Sequence, residues 1–341
     1  MGMPMEFKMI RSIRGTPEVL DSALKALKEW NPPEKGFRRI IFIGCGSSYF
    51  SSLAGNHVLL KGSRVESHAF PASEFMLHYR ELAKDALVVA SSRSGKTGEV
   101  IEAIKVAKKK SATIIGVTCN ENSKIEEISD ETIVIPSGEE PNIPATKSFS
   151  SITFVLQGIA VKLLEREDKL KELEAIKPTV KKILAQEDEY RPIAERLVSK
   201  RVFVHLGSGS GYVVALEGAL KFRETLGLPN EVFPALEFRH GPVALLRGVK
   251  GLQPILIAPK GDSTDALKRL VNDLASRNAD PLVFTNSGIF ENCVRIPWDG
   301  SEELAVIPFV VPIQIIAYYL AVLSGLNPDF PEGLVKVVER F

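Results

Sequence analysis

Cysteine is scarce: Cys45, Cys119 and Cys293 are the only three in 341 residues. An odd count without short mutual spacings excludes a disulfide framework and offers neither a zinc nor a dithiol pattern, which fits a reducing cytoplasm. Charge of one sign is equally lacking. With 43 basic and 42 acidic residues the formal charge is +1, so no broad basic field is present to neutralise a nucleic-acid backbone, and no nucleic-acid partner is expected. Four glutamines among many lysines and glutamates hint at a heat-tolerant source. The opening MGMPMEFKMIRSIRG puts charges where an export signal needs an apolar centre, so none is expected. GCGSSY at 44–49 lacks the third glycine of a dinucleotide fingerprint, and no metal-ligand cluster stands out; the expectation is no cofactor and no metal.

One long apolar run does occur. From Leu304 to Leu326 there is no charged residue, which meets the length of a membrane span. Pro308, Pro312, Gln314, the Tyr318-Tyr319 pair and Ser324 interrupt it, and no basic cluster flanks it. The expectation is a strand end followed by a core helix, with no membrane partner.

What is present is alternation. Thr16-Pro17 reads as an N-cap and first-turn proline opening a helix. RRIIFIGCGSSYFSSLAG then reads as strand, tight turn and helix, and ALVVASSRSGKTGEVIEAIKVAKKK repeats that order before the strand ATIIGVT. Apolar strands alternating with helices imply a mostly parallel sheet flanked by helices, an α/β fold. A shift of 163 positions pairs Gly44 with Gly207, Gly46 with Gly209, Ser47 with Ser210 and Tyr49 with Tyr212, and gives six identities in twelve positions. Near 168 positions LVVA at 87–90 meets ILIA at 255–258. Two matches in one order predict a tandem duplicated α/β domain. The expected organisation is an N-terminal helical segment over 1–35, a first domain over 36–165, a charged helical linker over 166–199 punctuated by Pro178 and Pro192, a second domain over 200–325, and a tail over 326–341.

The stretch ASSRSGKT at 90–97 resembles a P-loop only at its end. A P-loop needs glycine five positions before the one preceding lysine, and Ala90 stands there. The loop offers instead the hydroxyls of Ser91, Ser92, Ser94 and Thr97 between a strand and a helix N-terminus. With the glycine- and serine-rich loop at 44–48, whose Ser47 and Ser48 sit at another helix start, it suits a monophosphate held by hydroxyls and helix amides. The plainer alternative is that these hydroxyls merely cap helices. In the second half the matching loop is APKGDST, where Pro259 removes an amide and Asp262 adds a repelling charge. One phosphate site per chain is therefore expected.

An ordered set of motifs carries a resemblance: GCGSSY at 44–49, PASEF at 71–75, SRSGKT at 92–97, PATKSF at 144–149, ALEGALKFRE at 215–224, EFRHGP at 237–242 and DFPEGLVKVV at 329–338. Together they resemble the sugar isomerase (SIS) family, nearest to the isomerase half of glucosamine-6-phosphate synthase and the deaminases built from that half. The resemblance implies two SIS-type domains and a hexose-6-phosphate ligand held by Ser47, Ser48, Ser92, Ser94 and Thr97. Arg93 stands where the synthases commonly carry glutamine, so the resemblance places a guanidinium near the substrate and Arg93 among the substrate-binding residues; Lys96 stands where they carry glutamate. The resemblance also implies a catalytic role for Glu224, with Lys221 one helical turn earlier and on the same face. One carboxylate near two adjacent carbons can move a proton between them, and a lysine beside it can stabilise an enol oxygen. On its residues alone, this pair reads first as a solvated surface pair, the commoner case.

His240 matches the family's ring-opening histidine, supplied by a neighbouring subunit, which implies a homodimer. Lys336 matches a tail lysine that forms an imine or stabilises charge, so the tail is expected to contribute to the active site. Only about 35 residues precede the first expected strand, with no cysteine before Cys45, so no glutaminase half is expected. The expected reaction is then deamination of a hexosamine 6-phosphate: glucosamine 6-phosphate and water to fructose 6-phosphate and ammonia. Isomerisation of another sugar phosphate, fructosamine-6-phosphate deglycation, and a noncatalytic sugar-phosphate sensor remain the alternatives.

Overall fold

A computed structural model describes residues 6–34, 36–62 and 64–341 of the chain. Strands β1 (Arg39–Gly44), β2 (Glu66–Pro71), β3 (Leu87–Ser92), β4 (Thr113–Thr118) and β5 (Glu131–Val134) form a parallel sheet in the order β2-β1-β3-β4-β5. β3 is buried along its whole length and β1 along all but its first residue, as near-continuous apolar runs covered on both faces must be. The helix Gly98–Lys108 turns Val100, Ile101, Ile104 and Ala107 inward and carries Lys105 and Lys108 in its last turn, where cations suit the helix dipole. Ile41, Ile43, Phe75, Val88, Ile104 and Ile114 meet in one core cluster.

A second parallel sheet consists of β6 (Val202–Gly207), β7 (Asn230–Pro234), β8 (Leu252–Ala258), β9 (Leu282–Thr285) and β10 (Val294–Arg295), in the order β10-β9-β8-β6-β7. Read from β7, this is the strand order of the first sheet. The duplication expected from the 163-residue shift is thus a duplication of topology. Val204, Leu206, Phe238, Leu256, Leu270 and Val283 form its core.

The chain divides into two compact units. The first-sheet unit comprises Gly15–Glu140, Ala145–Lys177 and the tail Val335–Phe341; the second-sheet unit comprises Met1–Arg14, Pro141–Pro144 and Pro178–Leu334. Within the second-sheet unit the Asp329 carboxylate accepts the backbone N–H groups of Lys8 and Met9 at 2.8 and 2.7 Å. Its carbonyl accepts that of Ile143 at 2.9 Å. Asp329 thereby satisfies amides at the start of the helix Lys8–Arg14 and fixes the base of the C-terminal tail.

Three local expectations are corrected. Thr16 is the first residue of the helix Thr16–Glu29, Gly15 is its cap, and no side chain caps it; the preceding helix ends at Arg14 and leaves no extended residue for a threonine cap. Pro178 and Pro192 lie inside the helices Glu167–Ala185 and Glu187–Leu197, and the break falls at Gln186. The apolar run begins with no strand: a short turn at Glu302–Leu304 leads into one helix, Val306–Leu323. It is the one helix among the described residues long and apolar enough to cross a membrane, but 83% of it is buried. It packs against the helices Ser210–Leu226 and Glu187–Leu197, which makes it a core helix of this unit.

Candidate functional site

In the first sheet the strand order reverses between β1 and β3, and the loops leaving their carboxyl ends are the two serine-rich loops. Open parallel sheets bind ligands at such a reversal. Gly46 takes φ +53° in the first loop and Gly95 φ +65° in the second. A Cβ on Gly95 would also strike Ser123 at 2.4 Å, so only glycine fits there. Ser47 opens the helix Ser47–Gly62. Ser48 N–H donates to the Cys45 carbonyl at 3.1 Å, and the Ser48 carbonyl accepts the Ser52 hydroxyl at 3.0 Å.

In the second loop Ser92 is buried, with its Oγ 2.9 Å from Thr97 Oγ1 and 3.4 Å from Ser94 Oγ. Ser92 Oγ accepts the Gly95 N–H and Ser94 Oγ that of Lys96, each at 3.1 Å. Thr97 is the N-cap residue of the helix Gly98–Lys108 but makes no side-chain capping bond; its hydroxyl meets Ser92 instead, against the plainer alternative. A cluster of three hydroxyls at the positive end of a helix suits a compact oxyanion.

Arg93 points elsewhere than into that hydroxyl cluster. Its guanidinium meets Glu140 Oε2 at 3.3 Å and donates to the Lys336 carbonyl at 3.1 Å. Glu140, which sequence reasoning missed, is buried and accepts the Thr146 N–H at 2.9 Å, the Thr146 hydroxyl at 2.8 Å and the Ser148 hydroxyl. Burial pushes the Glu140 pKa up, but Arg93 and these hydrogen bonds outweigh it and hold it below the ordinary glutamate range. Lys336 donates its ammonium to the Glu140 carbonyl. Desolvation, and then the charge of Arg93, lower the Lys336 pKa, the direction an amine nucleophile requires.

The tail is pinned again where Gly98 N–H donates to the Val338 carbonyl at 3.1 Å. A Cβ on Gly98 would come within 2.9 Å of both the Glu339 carbonyl oxygen and the Phe341 nitrogen. Gly98→Ala is therefore expected to displace the tail at an overpacking cost of about 1 kcal/mol or more. Hydrogen exchange over residues 335–341 should quicken severalfold while the sheet amides keep their protection. Unchanged exchange in the tail would show that it does not dock on this helix start.

The second-sheet unit holds the other candidates. Glu217, Lys221 and Glu224 share one face of the helix Ser210–Leu226. Lys221 Nζ lies 3.2 Å from Glu217 Oε1 and 2.5 Å from Glu224 Oε2. The Lys221 and Glu217 side chains are wholly buried, and that of Glu224 is 18% exposed. This is no solvated surface pair. Burial alone would depress the Lys221 pKa; the carboxylates of Glu217 and Glu224 more than compensate and raise it, so the lysine is held as a cation. Glu217 escaped the sequence reading, although it stands one helical turn before Lys221 within ALEGALKFRE. His240 follows the short turn Glu237–Arg239 and is exposed; its N–H donates to the Glu237 carbonyl at 2.9 Å. Among the described residues its ring forms no hydrogen bond or ion pair with Glu224.

The structure thus brings Ser92, Ser94 and Thr97 into contact, places Arg93 with Lys336, and pairs Lys221 with Glu224. The sequence profile of the SIS domain matches residues 36–162 and 197–291, covering the first sheet and β6 to β9 of the second. The chain belongs to the SIS domain family. This SIS chain is 33% identical over 316 residues to the glutamine–fructose-6-phosphate aminotransferase (isomerizing) of Pyrococcus horikoshii, covering 89% of itself and 52% of that protein. It is 31% identical to the enzyme of that name from Thermococcus kodakarensis, over 96% of itself and 55% of the relative. It therefore spans about half the length of these relatives.

Among solved structures, the C-terminal domain of glucosamine-fructose-6-phosphate aminotransferase from Francisella tularensis matches with TM-score 0.86 at 23% identity, over 96% of this chain and 99% of that one. Glucosamine-6-phosphate deaminase from Thermotoga maritima matches with TM-score 0.74 at 28% identity, over 97% of this SIS chain and 99% of its own.

Proposed function

We propose that this SIS chain is a glucosamine-6-phosphate deaminase. The observation that carries the proton-transfer part of the reading is the buried Lys221 in ion-pair contact with the partly exposed Glu224. The choice of deamination rests on the likeness to the Thermotoga maritima deaminase over nearly the whole of both chains. In this reading the hydroxyls of Ser47, Ser48, Ser92, Ser94 and Thr97 hold the 6-phosphate. His240, contributed by a second copy in a homodimer, moves a proton between the ring oxygen and O1 and so opens the ring; an imidazole suits that task near neutral pH. Glu224 takes the proton from C2 and returns it to C1, which converts the amino aldehyde through an enol to the C2 imine. Lys221 offsets the negative charge that develops on O1. Lys336 stabilises the imine carbon's new charge state or exchanges onto it, and water adding at C2 expels ammonia and leaves the ketone.

The test is turnover of glucosamine 6-phosphate by the purified protein, with ammonia and fructose 6-phosphate measured together. The expected result is equal amounts of both products. Fructose 6-phosphate isomerised without ammonia, or turnover confined to another sugar phosphate, would replace the deaminase with one of its relatives. Phosphate-dependent stabilisation without turnover of any sugar phosphate would make the chain a sensor.

A further inference from the structure

The second sheet reverses its strand order between β6 and β8, as the first does between β1 and β3. The loop after β6 rebuilds the first cradle: Gly209 takes φ +56° against +53° at Gly46. Gly207 and Gly44 are both so close to the following helix turn that an added Cβ would strike backbone, at 2.1 Å on Gly211 and 2.6 Å on Ser48. The helix that starts here, Ser210–Leu226, is 17 residues long and presents the positive end of its dipole to the loop. Phosphate is disfavoured by the neighbouring loop, in which Pro259 has no N–H and Asp262 is negative.

The cradle is filled. Glu302, at the start of the turn Glu302–Leu304, places Oε1 2.6 Å from the Ser210 nitrogen and accepts its N–H. Its stem covers the loop after β8, where a Cβ on Gly261 would come within 2.9 Å of Glu302 Cβ and 3.0 Å of Cγ. One carboxylate therefore spans both loops of the reversal point. The hydroxyl of Ser210, the same residue that donates its amide, is wholly buried and has no hydrogen-bond partner. We propose that the second switch point is an oxyanion site occupied from within, with the Glu302 carboxylate as its resident ligand, and that removing this side chain opens it to small carboxylates. The inference is independent of the reaction proposed above.

Thermal unfolding of the full chain and of Glu302→Ala tests it, with sodium acetate, inorganic phosphate and, for ionic strength, sodium chloride. Glu302→Ala should melt below the unaltered protein in chloride. Acetate should recover more of that deficit than it adds to the unaltered chain, because a ligand bound only by the folded state raises its stability, and phosphate should recover less than acetate. The same comparison in a Ser92→Ala/Thr97→Ala background removes any contribution from the first cradle, so failure there and failure here are distinguishable. Equal anion stabilisation with and without Glu302 would overturn the proposal. Should Glu302→Ala not fold, Glu302→Gln keeps the side chain's size and an acceptor but not the charge. It should melt lower than the unaltered protein, and an unchanged melting temperature would refute a carboxylate ligand.

Discussion

Glu224→Gln is expected to lower the rate of ammonia release from glucosamine 6-phosphate by about 100- to 10,000-fold, the range a positioned general base contributes. The amide keeps the shape and one acceptor oxygen of the carboxylate but cannot take the C2 proton. Folding should survive, because the substitution removes one of two negative charges, on Glu217 and Glu224, that flank a single buried cation, and Glu224 is the one with access to solvent. Stabilisation by inorganic phosphate should also survive, since Ser92, Ser94 and Thr97 belong to the first-sheet unit and Glu224 to the second. The decisive reading is isotopic. Glu224 is partly exposed, so the proton it holds between C2 and C1 exchanges with solvent in part: in deuterated water the unaltered chain should place some solvent hydrogen at C1 of the fructose 6-phosphate it forms, and the variant should lose that exchange together with turnover. A variant with turnover within a few-fold of the unaltered chain would take proton transfer away from Glu224.

The parts of this fold that were legible in the sequence are those in which one local pattern decides. Strands buried on both faces announce themselves as short apolar runs, and β1 and β3 do so next to glycines that only a tight turn explains. The repeat was visible because Gly44 and its counterpart Gly207 leave no room for a Cβ against the following helix turn, and because Gly46 and Gly209 both take the positive φ that favours glycine. Pro178 and Pro192 misled because a proline also tolerates a place within a helix when packing outweighs the lost hydrogen bond, and both lie in helices that pack elsewhere along their length.

Of the candidate site, the hydroxyl loops could be read from composition and place, but the partners of Arg93 could not. Glu140 is 47 residues and Lys336 is 243 residues away in the chain, and nothing in the local sequence around SRSGKT points to either. Glu217 was within reach, as a residue four before Lys221 on one helix face, but helix faces rich in charge usually face water and only tertiary packing shows that this one does not. Glu302 carries no local signal at all.

Lys221→Met should be the most damaging substitution for folding. The cation is wholly buried between Glu217 at 3.2 Å and Glu224 at 2.5 Å, and breaking a buried pair by removing one partner costs about 3–5 kcal/mol because the remaining charge is left uncompensated. Glu224 can turn part of its charge toward water, whereas the Glu217 side chain has no exposure, so the cost arises chiefly at Glu217. Equilibrium unfolding in denaturant measures it, and Glu217→Gln/Lys221→Met should recover much of the deficit that Lys221→Met shows alone. The pH dependence has a definite sign in each protein. In the unaltered chain the folded pKa of Lys221 lies above its unfolded value, so its contribution is complete below the ordinary lysine pKa and is lost only as pH rises through the folded value. In Lys221→Met the wholly buried Glu217 carboxylate loses the Lys221 cation, and protonation at lower pH relieves part of that buried charge. The gap between the two proteins should therefore be narrower at pH 5 than at pH 8. A gap that is constant over this interval, or a double variant no more stable than Lys221→Met, would mean that the lysine contributes packing and not charge.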